Sequence, residues 1–309
     1  MSTECAKSKK DERKSDQRAR LARRGWMRRP WRLLLAGSLA LAGCTKAPFT
    51  GRSALHLVPE SDLQAMSAQQ YAQFLNESEL SRDKRLVGEV RGIGERIAVA
   101  AQVYYDDQGQ SERLAGFDWQ FNVVDSPEVN AFCMPGGRVV VFTGLLPIAG
   151  DVDSLAIVMG HEIAHALAGH GNERMSQELL TQAGGAALSV AVRKQPAQTQ
   201  QAFMAAFGAG ATVGVLLPFS RTHEAEADEI GLYLSTMAGY DPRAAAPLWE
   251  RMASQGETPP EILSTHPDPL ERAKELRALV PEALEYRKKY GAEVDRIAGP
   301  LRARGELRY

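Results

Sequence analysis

Cysteine is scarce in this chain: Cys5, Cys44 and Cys133 are the three among 309 residues. That count excludes a scaffold held together by disulfides. Long apolar runs are also missing. The uncharged stretches 33–43 and 202–217 fall short of the ~20 residues that a spanning helix needs. No internal repeat is present, which sets aside solenoids and arrays. Positive charge is sparse beyond the N-terminus. Residues 1–32 hold twelve Lys/Arg against four Asp/Glu, and the rest of the chain holds 25 against 34. An acidic body argues against nucleic acid as a partner, because phosphate binding needs a basic face. Hydrophobic residues at 44% are enough to bury a core, so disorder of the whole chain is excluded.

What is present begins with an address. Arg28, Arg29 and Arg32 precede the short apolar run 33–43, the layout of a secretory signal peptide. Residues 1–26 read as an over-long start, with Met27 as an alternative initiator. The exit, Leu41-Ala42-Gly43-Cys44, resembles the bacterial lipobox, in which the cysteine is acylated. Acyl chains on Cys44 would tie the protein to a membrane without a spanning helix. Thr45 follows in place of the aspartate that commonly retains lipoproteins in the inner membrane. The expected location is therefore the bacterial outer membrane, lipid-anchored on its periplasmic face. Three parts are expected: a signal peptide at 1–43, a lipidated tether at 44–59, and one domain at 60–309.

Within that domain, residues 60–78 and 82–104 carry apolar residues at helical spacing. Residues 117–124 alternate as a strand does. Pro135-Gly136-Gly137 between apolar runs predicts a hairpin. Helices are expected over 151–169, 220–239, 241–252, 270–279 and 281–298, with a buried or cleft-covering helix at 202–217. Four prolines mark 256–269 as a loop. Cys133 reads as a small buried hydrophobe, and His56 as a solvated residue of the tether. The fold class is α+β, mostly helical, with one small sheet.

The chemistry sits in His161-Glu162-Ile163-Ala164-His165. Residues i and i+4 share a helix face, so both imidazoles reach one zinc ion. Glu162, about 100° around the helix, is placed to take a proton from water activated by the metal. Apolar Leu155, Ile157 and Val158 just before it turn this helix toward a core. A catalytic zinc needs a third protein ligand and an open fourth position. His170 is about 140° off the face of His165 and reads as structural. The stretch Arg221 to Asp228 offers His223 and Glu224, which point about 100° apart, so only one of them can face the metal.

HExxH followed by Glu224-Ala225-Glu226-Ala227-Asp228, an ExxAD motif, resembles the gluzincins of HtpX, the Oma-type mitochondrial proteases and the CAAX prenyl proteases, peptidase family M48. The resemblance covers roughly residues 48–280 and implies a zincin-like domain with its sheet beside the HExxH helix. It implies Glu224 as third zinc ligand and Asp228 as the group that fixes a ligand tautomer. It marks Asn130, Gly136 and Gly137, beside an edge strand that binds extended peptide. It also marks His266 and Arg272 as approaching the cleft. His266 carries two readings. One is a resting-state fourth ligand that restrains the enzyme. The other is an oxyanion stabiliser acting with Arg272.

Together these features imply a metalloendopeptidase with one Zn2+ per chain. Its expected substrates are unfolded or misassembled envelope proteins, as quality control. The alternative is a non-proteolytic chaperone or assembly factor for outer-membrane proteins that uses the same cleft. A CAAX-type membrane enzyme is disfavoured by the lack of long apolar segments.

Overall fold

The computed structural model describes residues 44–182, 199, 201, 220–255, 261–266 and 268–299. Segment 1–43, expected to be a signal peptide, and the expected helix at 202–217 lie outside the described residues. The chain divides after Cys44 into two units, and the second is the domain described below.

A short ribbon pairs β1 (Cys44–Lys46) with β2 (Ser53–Leu55). Helices α1 (Glu60–Glu77) and α2 (Lys84–Asp107) follow. Asp83 caps α2 by accepting from the Arg85 and Leu86 amides, which satisfies donors that a helix start leaves open. Its stripe of Leu86, Val90, Ile93 and Ile97 is buried, as the spacing predicts.

The sheet holds β3 (Gln120–Val124), β4 (Ala131–Met134) and β5 (Arg138–Phe142) in the order β3-β5-β4. β5 is central, buried at every residue, parallel to β3 and antiparallel to β4. The β4–β5 hairpin turns at Gly136 and Gly137, with φ of +84° and +85°, a region that glycine enters without cost.

Helix α3 (Val152–Ala168) starts on the Asp151 side chain and stops at Gly169 in the left-handed region. A further helix, α4 (His170–Gln182), begins at once. It was not expected, because Gly169 is the ordinary signal for a helix end. Met175 and Leu179 of α4 pack with Val58 and Leu63. Then come α5 (Arg221–Met237), α6 (Ala245–Ala253), α7 (Glu261–Thr265) and α8 (Pro269–Ala298).

Two expectations are corrected here. A short helix, α7, occupies part of the region read as a proline-rich loop. Its Ile262 side chain is buried and its Ile262 amide donates to the Val129 carbonyl. The two terminal helices are one helix that runs through Pro281. A proline inside a helix removes one backbone hydrogen bond. Burial of Arg272, Ala273, Leu276, Ala283, Tyr290 and Val294 on both sides of it keeps the helix continuous.

Segment 45–58 is not a free tether. Ala47, Ala54 and Val58 are buried. Phe49 stacks on Tyr104 of α2 at 3.6 Å between ring centroids and also approaches Tyr233 of α5 and Tyr286 of α8. His56, expected in solvent, is half-buried against Gly169. The segment is a strap laid across three helices.

The site depends on one close contact. A Cβ on Gly160 would lie 2.7 Å from the Gly231 carbonyl oxygen, and one on Gly231 would lie 2.7 Å from the His161 amide nitrogen. With no side chain between them, α3 and α5 touch backbone to backbone. That contact brings the HExxH and ExxAD residues of the two helices together.

Candidate metal centre

One potential ligand atom each from His161, His165, Glu224 and His266 lies within 4.8 Å of all the others, and all four residues are buried. A tetrahedron of zinc bonds about 2.05 Å long has edges of roughly 3.3 Å. The separations here bracket that length. His161 Nε2 is 3.0 Å from His165 Nε2 and 3.2 Å from His266 Nδ1. Glu224 is 3.5 Å from His161, 3.4 Å from His165 and 2.9 Å from His266. Three imidazoles and a carboxylate, all converging in a buried site, fit a zinc ion.

The electrostatics suit that state. Burial holds the His165 imidazole well below its ordinary pKa, so its lone pair is available. Burial alone would raise the Glu224 carboxyl, but the proximity of His266 and Arg272 and hydrogen bonds with His161 and His165 hold it well below the usual carboxylate range. Burial pushes the Glu162 carboxyl up to about 7. Glu162 Oε1 accepts no hydrogen bond and lies 3.6 Å from His266 Nε2. His266 therefore stands between Glu162 and the other three donors, where a water would have to sit.

Each HExxH histidine is supported at its outer nitrogen. His161 Nδ1 is 3.0 Å from Asp228 Oδ1. The Arg272 guanidinium grips that carboxylate twice, at 2.8 and 2.6 Å. His165 Nδ1 is 2.8 Å from His170 Nδ1. His223, the rival to Glu224, turns away to Glu173 at 3.1 Å and stacks on His170.

Other expected site residues are placed differently. Arg272 is buried, lies 3.0 Å from Glu224 and stacks over Trp249 at 3.5 Å. Its Nε and Nη2 donate to Asp228, while Nη1, 3.0 Å from Glu224, makes no hydrogen bond. The Asn130 amide donates to Glu128 and its oxygen accepts from the Ala131 amide, a local turn. Gly136 and Gly137 are buried, and their carbonyls accept from Asp118 and Gln120. Cys133 is half-buried on β4 rather than fully buried. Sequence reasoning missed Trp249, Glu226, Arg52 and the Gly160–Gly231 contact. Of the two small residues flanking Glu226, read as suited to close packing, Ala227 is buried and Ala225 is exposed.

The profile of Peptidase family M48 matches residues 88–280. Metalloendopeptidase OMA1, mitochondrial, of Bos taurus is 35% identical over 252 residues, which is 78% of this chain and 47% of that protein. Mitochondrial metalloendopeptidase OMA1 of Schizosaccharomyces pombe is 38% identical over 174 residues, 55% of this chain and 49% of that one. Beta-barrel assembly-enhancing protease of Escherichia coli is 31% identical over 181 residues, 54% and 37% of the two chains. The chain spans about half the length of the curated relatives it matches. The expected outer-membrane location is overturned: the bovine and fission-yeast relatives, among others, are mitochondrial by name. That expectation rested on the signal-like residues 28–43, the lipobox-like exit at Cys44 and Thr45 in place of aspartate. Among the described residues, no helix is long and apolar enough to cross a membrane.

Proposed function

Because the chain belongs to peptidase family M48, we propose that it is a zinc metalloendopeptidase that cleaves unfolded or misassembled proteins. The observation that carries this reading is the convergence of His161, His165, Glu224 and His266 in one buried cluster beside Glu162. His161, His165 and Glu224 would hold the ion. When bound, zinc would supply Lewis acidity toward the scissile carbonyl and the attacking water. Glu162, with its carboxyl near pKa 7, takes a proton from that water and returns it to the leaving amine. Asp228 holds His161 with its inner nitrogen unprotonated.

His266 acts as the resting-state fourth donor. It follows α7, and its amide donates to the Ile262 carbonyl at 2.9 Å. The same short helix caps the Val129 carbonyl just before edge strand β4. A peptide adding to that edge would compete with α7 and draw His266 off the metal. Lipidation of Cys44 belongs to the same reading. Cys44→Ser is expected to release the protein from membranes in a carbonate wash, and continued attachment would count against it.

Metal analysis and casein cleavage with purified protein test the activity. Glu162→Gln is expected to retain zinc and lose hydrolysis by about 10²–10⁴-fold. Wild-type cleavage by that variant would refute the base assignment. His266→Ala should retain zinc and raise basal cleavage. A fall of about 10²-fold in kcat would instead make His266 an oxyanion donor.

A further inference from the structure

The outer nitrogen of His165 opens onto a second cluster that the proposed chemistry does not use. His170 Nδ1 meets His165 Nδ1 at 2.8 Å, and His170 Nε2 meets Glu226 Oε2 at 3.0 Å. Glu226 accepts from Arg52 Nε at 2.6 Å and from the Thr50 hydroxyl. The same guanidinium forks onto Glu173, at 3.1 and 2.8 Å. His170, Glu173 and Glu226 are all buried. Thr50 and Arg52 belong to the strap, and their partner Glu226 lies 176 and 174 residues along the chain.

The proton positions follow from one requirement. If His165 ligates through Nε2, that nitrogen carries no proton and Nδ1 must carry one. Nδ1–H then donates to His170 Nδ1, which must accept. His170 Nε2 therefore carries its proton and donates to Glu226. Glu226 accepts as a carboxylate, and Arg52 supplies the balancing charge. Every donor meets an acceptor along this line, and only one tautomer of each histidine satisfies it. Reversing either ring would set two protons or two lone pairs against each other at 2.8 Å.

We propose that Arg52 and Glu226, acting through His170, are positioning residues for His165, so that the strap forms part of the metal centre. This rests on the zinc reading above. Phe49 is the mechanical half of the device. Its ring is held by Tyr104, Tyr233 and Tyr286 on three helices, and Arg52 follows three residues later. Phe49 sits in the left-handed region, with φ of +59°, at the turn that carries this ring. A second metal ion does not explain the cluster as well, because Arg52 already neutralises both of its carboxylates.

The test measures metal affinity and ligand geometry apart from turnover. Zinc dissociation constants come from chelator competition, and the visible absorption spectrum of the Co2+-loaded protein reports the ligand field. Arg52→Gln and Glu226→Gln are each expected to raise the zinc Kd about 10- to 100-fold and to alter the cobalt spectrum. Arg52→Lys keeps the charge but loses the fork and should change both readouts in the same direction, less strongly. It also covers the case in which the Gln variants fail to fold. Arg96→Gln is the control: Arg96 pairs with Asp295 and the Ala238 carbonyl, away from the relay. It should lower the Tm of the metal-free protein and leave zinc Kd and spectrum unchanged. Relay variants that lower Tm alone, with wild-type Kd and spectrum, would overturn the proposal. A wild-type protein that binds neither zinc nor cobalt would overturn the metal reading beneath it.

Discussion

The two histidines of the HExxH helix are supported by unequal flanks. On the His161 side, Asp228 and the buried Arg272 both lie 3.0 Å from Nδ1, and the arginine grips that carboxylate twice while stacked on Trp249. All of these residues come from helices α3, α5, α6 and α8. On the His165 side, an extra imidazole intervenes, and the final cation comes from a strap. Arg52 is half-buried where Arg272 is buried. Both flanks end in a carboxylate–arginine pair, which suits a ligand that must keep one tautomer. They differ in what must move to undo them. The first cannot be released without opening the core, whereas the second is released if a surface segment lifts.

The sharpest way to break the comparison is on the rigid side. Asp228→Ala leaves Arg272 buried beside Glu224 without its main partner. Uncompensated buried charges cost about 3–5 kcal/mol, so a large drop in stability by urea denaturation is expected, together with loss of zinc. An Asp228→Ala protein of near-wild-type stability would show that the two flanks are equally loose.

A smaller effect should expose the loose side alone. Burial pushes the His170 imidazole down to about 4. Its folded pKa is below the unfolded value near 6.5, so the unfolded chain binds more protons between those values. Stability must therefore fall as pH drops from about 6.5 to 4, by roughly 1–3 kcal/mol. Glu173 extends the window. Burial opposes ionisation there, but His223 and Arg52 hold it down to about 2. Its stabilising share is present above about 4.5 and is lost as pH falls toward 2. Limited proteolysis across pH 7 to 4 should therefore cut within the strap before the core helices. Equal protection of strap and core at pH 4 would contradict this.

Much of the rigid flank was legible in sequence, and little of the loose one. His161, Glu162 and His165 lie on one helix, where a fixed advance per residue sets which groups meet. Glu224 and Asp228 are one turn apart, so a motif resemblance was enough to place them together. The hairpin at Gly136-Gly137 announced itself through turn chemistry, and both glycines sit buried at the turn with positive φ. The strap was misread because Pro48, Gly51 and Pro59 look like a linker. The carboxylate partners of Thr50 and Arg52 lie 121 to 176 residues away, and no local pattern encodes a pairing at that distance. Helix α4 was missed because Gly169 is a stop signal that here separates two helices with no loop between them. Pro281 was read as a break because the burial on either side of it is a tertiary fact.

The bare contact between Gly160 and Gly231 works as a pivot. Glu224 stands seven residues from Gly231, a lever arm of about 10.5 Å along the helix. Zinc bonds tolerate scatter of only about 0.2 Å. A rotation of α5 about that point by roughly one degree would use up the whole tolerance at the carboxylate. Side chains between two helices act as a cushion, and here there is none. A metal ion held by His161, His165 and Glu224 would therefore register a tilt of one helix against the other.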